Sequence, residues 1–121
     1  VWFPGAPSGL WSFETNQYTQ VQSLRNGLGY WGFFTGTSVA YFAGTPIDSV
    51  AVDVPDGGRW FLFGSVSAVK AASALQADPP GALLAGSLYE YENGGYRAPA
   101  DIRPGRGYWV YVLQPCTLRL R

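Results

Sequence analysis

The side chains of this chain that could do chemistry are carboxylates and aromatics, because histidine is absent. Without imidazole there is no Ser-His-Asp or Cys-His nucleophile, and most zinc, copper and non-haem iron sites lose their usual ligand. Eight carboxylates remain: Glu14, Asp48, Asp53, Asp56, Asp78, Glu90, Glu92 and Asp101. Glycoside hydrolysis needs two of them facing across a cleft. Glu90 and Glu92 fall on one face of a predicted strand, about 7 Å apart by strand geometry, so their spacing admits a pair. Their alternation with Tyr89 and Tyr91 has a simpler reading, a half-buried strand whose acids form the solvated outer face. No catalytic residue is assigned, and an enzyme is not expected. A carboxylate pair lining a cleft would reopen that question.

Two further motifs lead nowhere. Gly27-x-Gly29 and Gly105-x-Gly107 are each followed by a predicted strand, whereas a phosphate loop needs a helix N-terminus there. Asp48, Asp53 and Asp56 offer oxygens but match no calcium-loop spacing, so a loose Ca²⁺ site is the most they allow. No metal or cofactor is assigned.

The aromatics are the stronger candidates. Five Trp, eight Tyr and seven Phe exceed what a core of 121 residues needs, so some should reach the surface. Sugar recognition stacks flat rings on pyranose C–H groups, with Asn, Gln, Asp or Arg beside them for hydroxyls. Trp11, Tyr18, Tyr89 and Tyr96 flank predicted hairpin turns that carry Asn16, Asn93 and Arg97. Strand alternation puts Trp31 with Phe33 on one face, and Trp109 with Tyr111 on another. The competing reading makes these rings core, most readily Trp31 and Trp109. Tyr18 and Tyr96, with polar tips beside turns, fit either reading. Carbohydrate binding requires solvent-exposed, coplanar rings beside hydrogen-bonding groups. A structural role requires that the rings be buried.

These side chains are positioned by a sequence that repeats. Leu10 to Trp31 lies on Leu88 to Trp109 at a constant offset without gaps, with identities at Leu10/Leu88, Glu14/Glu92, Tyr18/Tyr96, Arg25/Arg103, Gly27/Gly105, Gly29/Gly107, Tyr30/Tyr108 and Trp31/Trp109. One supersecondary unit used twice is the expected cause. Glu14/Glu92 and Arg25/Arg103 predict a salt bridge inside each copy. Hairpins are predicted around Asn16 and around Asn93-Gly94-Gly95. Further strands are expected at Val50 to Val54, Trp60 to Phe63 (apolar on both faces, hence central), Tyr108 to Val112 and Cys116 to Leu120, with Ser38 to Phe42 closing the first copy. Only Ser67 to Gln76 has a helical pattern. The expected fold is all-β, a pseudo-two-fold small barrel or sandwich of short antiparallel strands with one short helix. It forms a single domain over 1–121, with an incomplete repeat at 10–42 and a complete one at 50–121.

Net charge is zero and no basic stripe occurs, so neither nucleic acid nor an anionic membrane surface is an expected partner. No apolar run is long enough for a membrane-spanning helix. Cys116 is the only cysteine and reads as a small buried hydrophobe. Methionine is absent, and the first copy is preceded only by VWFPGAPSG, so the chain is expected to be a processed or excised piece. A strand swapped in from a second copy of the chain would complete the first module.

Gly58 to Gly64 (GRWFLFG), Tyr89 to Tyr96 (YEYENGGY) and Ile102 to Val110 (IRPGRGYWV) together follow the pattern G-x-W-x-L-x-G, Y-x-Y-x-x-G-x-Y, L-x-P-G-x-G-Y-W-V. This resembles a repeat module of large secreted and surface-attached bacterial proteins. The resemblance covers 50–121 well. Residues 10–42 follow it as a diverged half, with Asn26 in place of Pro and Gly32 in place of Val. It implies a non-catalytic appendage in an extracellular setting and carries over no ligand residues. The functional expectation is therefore a carbohydrate-binding module that engages a polysaccharide or surface component through exposed aromatics. The alternative is a spacer, anchor or protein-interaction module.

Overall fold

A computed structural model of the chain describes residues 9–14, 16–34 and 45–121. The fold is all-β, as expected. Among the described residues twelve short strands carry it, paired antiparallel. β1 (Leu10–Glu14), β2 (Gln17–Val21) and β3 (Trp31–Gly32) form one sheet, with β1 in the middle. β4 (Val50–Val54) and β7 (Leu75–Asp78) flank β12 (Cys116–Leu120) in a second. Three two-stranded pairs complete the set: β5 (Arg59–Gly64) with β11 (Gly107–Val112), β6 (Lys70–Ala71) with β10 (Asp101–Ile102), and β8 (Glu90–Glu92) with β9 (Gly95–Arg97). Among the described residues no helix is long and apolar enough to cross a membrane. The expected strand at Ser38 to Phe42 lies outside the described residues.

The core forms where apolar runs meet. In β5, Phe61, Leu62 and Phe63 are all buried, and β11 opposite buries Tyr108, Trp109 and Val110. A strand apolar on both faces can only be covered on both. β12 alternates instead, burying Cys116, Leu118 and Leu120 while Thr117 and Arg119 are half-covered. Burial raises the Cys116 thiol above its ordinary pKa, which keeps it protonated and inert.

The expected helix at Ser67 to Gln76 does not form. One 3-10 turn, Ala72–Ala74, remains, and Leu75–Asp78 pairs along β12 as β7. A ten-residue helix is marginal alone. The β12 edge offers this segment a ladder of hydrogen bonds instead, and its alanines express only a weak local preference. On the other side of the turn, Lys70 and Ala71 pair with Ile102 and Asp101.

Residues matched by the repeat make matched contacts. Phe13 pairs with Tyr18 and Glu14 with Gln17, as Tyr91 pairs with Tyr96 and Glu92 with Gly95. Trp11 lies opposite Trp31, and Tyr89 bridges Trp109. The hydroxyl of Tyr30 accepts the Arg25 N–H at 2.8 Å, and that of Tyr108 accepts the Arg103 N–H at 2.7 Å. Gly27 and Gly105 both have positive φ, 86° and 77°. Ring contacts are reciprocal across the copies. Phe13 meets Trp109 edge-to-face at 5.0 Å, and Tyr91 meets Trp31 edge-to-face at 5.1 Å.

The two tyrosine hydroxyls supply a test. Tyr108 is fully buried, so Tyr108→Phe strands the Arg103 amide and should cost about 1–3 kcal/mol. Tyr30 is half-buried and water can replace its hydroxyl, so Tyr30→Phe should cost less. Urea unfolding of the two variants measures the difference.

Candidate functional site

Both hairpins turn tightly and so present their aromatics in register. The β8–β9 turn holds Asn93 and Gly94 at φ 51° and 80°, the positive-φ pair of a two-residue hairpin. In β1–β2, Asn16 takes φ 61°. Tyr18 and Tyr96 thus stand on short strands whose outer faces are open. They converge with Phe13, Trp60, Tyr89 and Trp109 on an open cleft of about 420 Å³. Phe13 packs edge-on against Tyr18 at 4.9 Å and 62°, and against Trp109 at 5.0 Å and 75°. Trp60 leans on Tyr89 at 6.2 Å and 53°. Exposure decides which rings a ligand can reach: Tyr18 is 52%, Tyr96 57% and Trp60 39% exposed, against 9% for Trp109.

The Tyr96 hydroxyl is pushed above the ordinary tyrosine pKa, first by burial and then by the neighbouring hydroxyls of Tyr18 and Tyr91. It therefore stays neutral, a hydrogen-bond donor, throughout the physiological range.

Of the nine residues expected at a binding site, four line this cleft: Tyr18, Tyr89, Tyr96 and Trp109. Trp31 instead packs under Tyr91, half-buried, and its indole N–H meets no acceptor among the described residues. Trp11 is half-buried between Gln20 and Trp31 in the β1 sheet. Asn16 and Asn93 serve their turns, where positive φ favours asparagine. Arg97 points to the opposite side of its hairpin. Phe13 and Trp60 were not anticipated. The hairpin register places Phe13 opposite Tyr18. Trp60 belongs to a run that looks buried on both faces, and nothing in that run marks it as the residue left open.

The ionic face of the β8–β9 hairpin corrects the expectation for Glu90 and Glu92. Tyr91 faces outward, 47% exposed, whereas Glu90 is buried. Arg97 Nη2 donates to Glu90 at 3.1 Å and to Glu92, and Arg106 Nη1 stands 3.6 Å from Glu90 and 3.4 Å from Glu92. Two guanidinium groups make the inward acids tolerable, which frees the tyrosines to line the outside. For Glu92, burial opposes ionisation but is outweighed by a side-chain hydrogen bond with Glu90 and by the charges of Arg97 and Arg106, so its pKa lies below the ordinary 4.5.

These acids do border a polar cavity of about 350 Å³. Both carboxylates accept from one guanidinium nitrogen, Arg97 Nη2, so in this structure they are engaged by Arg97. Because the Glu92 pKa is depressed on folding, its contribution to stability is present above the unfolded value near 4.5 and is lost as pH falls through the lower folded value. The urea midpoint should therefore drop as pH falls below about 4.5, and Glu92→Gln should flatten part of that drop.

The salt bridge expected in each copy forms only in the first, where Arg25 meets Glu14 at 3.0 Å. In the second, Arg103 approaches Asp101 at 3.9 Å. Glu92 is taken there by Arg97 and Arg106, which replace Thr19 and Leu28 of the first copy. Asp53 accepts a hydrogen bond from the Thr117 hydroxyl at 2.9 Å, and Asp56 one from Arg59 Nε at 2.7 Å. No cluster of three potential metal ligands occurs among the described residues. Arg59 is buried, and its Nη1 finds no partner among the described residues.

Comparison with protein-family models, with curated proteins and with solved structures returned no match.

Proposed function

We propose that this chain is a non-catalytic binding module that holds a carbohydrate in the aromatic cleft. The observation that carries this reading is the convergence of six aromatic rings on one open cavity, three of them substantially exposed. Exposing rings to water forgoes their burial, and a ligand that stacks on them recovers it. The arrangement departs from the coplanar rings and flanking polar side chains expected of a carbohydrate site: its rings are not coplanar, and among the described residues only tyrosine hydroxyls and indole N–H groups bring polar atoms to it. Neighbouring rings meet at steep angles, which suits enclosing one or two sugar units better than lying along an extended chain. The resemblance of the repeat to secreted bacterial modules supports an extracellular setting within a larger surface or secreted protein. The matched contacts of the two copies support a duplicated unit.

A second reading has its own support. Phe13 with Trp109 and Tyr91 with Trp31 lock the copies together, so part of the aromatic excess serves structure. On that reading the module spaces, anchors or docks its parent, with a polypeptide rather than a glycan as partner. A strand-exchanged dimer belongs with it, and sedimentation over a wide concentration range tests for one.

The test of the main reading is tryptophan fluorescence during titration with soluble polysaccharides, confirmed by affinity gels. Trp60 stands in the cleft and reports occupancy. A saturable shift is expected, with Tyr96→Ala weakening binding about tenfold or more. A folded protein that responds to no glycan would overturn it.

A further inference from the structure

The cleft's chemistry narrows the ligand beyond carbohydrate in general. Among the described residues its lining is Phe13, Tyr18, Trp60, Tyr89, Tyr96 and Trp109, which bring no carboxylate, amide or guanidinium group. The polar atoms those side chains bring are tyrosine hydroxyls and indole N–H groups. At about 420 Å³ the cavity lies toward the small end of ligand sites, which run from about 300 to 1,000 Å³.

Ring orientation matters more. Coplanar rings touch one face of a pyranose and leave its equatorial hydroxyls in water. Here Phe13 stands at 75° to Trp109 and 62° to Tyr18, and Trp60 at 53° to Tyr89. A sugar stacked on one wall therefore turns its edge to another. An edge made only of hydroxyls would give up water against a phenyl ring without regaining hydrogen bonds, which is unfavourable. An edge that carries a methyl group meets no such penalty.

We infer that the sugar unit seated here is uncharged and bears an acetamido group, as in a 2-acetamido-2-deoxyhexose. This rests on the carbohydrate reading of the same cleft. The acetamide methyl packs against the steep wall, and its carbonyl oxygen accepts a hydrogen bond from a tyrosine hydroxyl. The flat amide itself stacks on a ring as well as a pyranose face does. A free ammonium would also find the exposed rings of Tyr18, Tyr96 and Trp60, but among the described residues no carboxylate lines the cleft to balance its charge.

Calorimetric titration of the chain with three β-1,4-linked tetrasaccharides tests the inference: 2-acetamido-glucose, glucose and 2-amino-glucose. They share a backbone and differ at one substituent. The acetamido form should bind about tenfold tighter than the glucose form, the range that one small apolar group commands in a pocket. Tyr96→Phe, which removes only a hydroxyl, should reduce acetamido affinity severalfold and narrow the ratio between the acetamido and glucose arms. Trp60→Ala, checked for an intact fold by near-ultraviolet circular dichroism, should erase the preference. Equal or tighter binding of the glucose tetrasaccharide would overturn the acetamido assignment while leaving a carbohydrate site standing. Tightest binding of the 2-amino form would overturn it in favour of a cation held over ring faces. Binding confined to an unrelated glycan would overturn it as well, again sparing the carbohydrate reading. No binding of any glycan by folded protein would remove both.

Discussion

Trp109→Ala should destabilise the chain by about 3–5 kcal/mol, the cost of deleting a large buried aromatic. Set against the roughly 5–15 kcal/mol that holds a domain together, that is a severe loss. Trp109 is 9% exposed, pairs with Leu62 of β5 on one side, and exchanges backbone hydrogen bonds with Tyr89 at 2.8 and 2.9 Å on the other. Its ring also receives the edge of Phe13 from the first hairpin. Truncation thus opens a cavity where β5, β11 and the β1–β2 hairpin meet. The matched residue Trp31 is half-buried, with Tyr91 across it, and Trp31→Ala should cost clearly less. Urea unfolding gives both numbers. Equal losses would mean that the two copies bear load alike, contrary to their burial. Tyr18→Ala, at an open position, should move stability by about 1 kcal/mol or less while weakening ligand binding, so stability and binding separate at this cleft.

Much of this architecture can be read from the chain because its signals are local. Asn93-Gly94-Gly95 after the aromatic-acid alternation of Tyr89 to Glu92 names a hairpin, since few residues tolerate the φ values found there. Alternation in Cys116 to Leu120 names a strand with one buried face, and β12 has those bounds. Faces are another matter. Period-two alternation says that Tyr91 and Glu90 point opposite ways, but not which way is inward. Arg106, on the turn before β11, and Arg97, on β9, decide that by meeting the acids inside. Such long-range pairing has no trace in the local pattern. The same holds for Ser67 to Gln76, where alanine content points to helix while the available β12 edge draws its last two residues into the strand Leu75–Asp78. In the cleft, Tyr18 and Tyr96 beside turns fitted an open position or a core one equally from sequence, whereas Trp60 was hidden inside a run whose other members are all buried. Charge explains why Arg97 left the expected site: a guanidinium goes where two carboxylates are, not where rings are.

The joint between the two copies should be the other point of greatest sensitivity, and Gly64→Ala should expose it. β5 is paired along one edge with β11, while its other edge meets the first copy. There Gly29 donates its N–H to the Leu62 carbonyl at 3.2 Å, and Gly64 donates to the Gly27 carbonyl at 3.0 Å. A Cβ on Gly64 would lie 2.5 Å from the Leu28 carbonyl oxygen and 3.1 Å from its carbon. Those are backbone atoms and cannot swing aside as a side chain would. Either the strand or the segment around Leu28 must move, and the hydrogen bonds on that edge go with it. Overpacking of this kind costs about 3 kcal/mol. Gly94→Ala, where an added Cβ meets nothing within 4 Å, isolates the effect of positive φ alone and should cost about 1 kcal/mol. If amide exchange in Gly64→Ala rises along β5 and around Gly29 but not along β12, the joint has opened while the second sheet holds. Stability unchanged from the parent would mean that the contact between the copies is slack and that the cleft, built from residues of both, is not held in shape by it. Since Phe13 and Tyr18 come from one copy and Tyr89, Tyr96 and Trp109 from the other, loosening this joint should also weaken the ligand response without touching a single ring of the cleft.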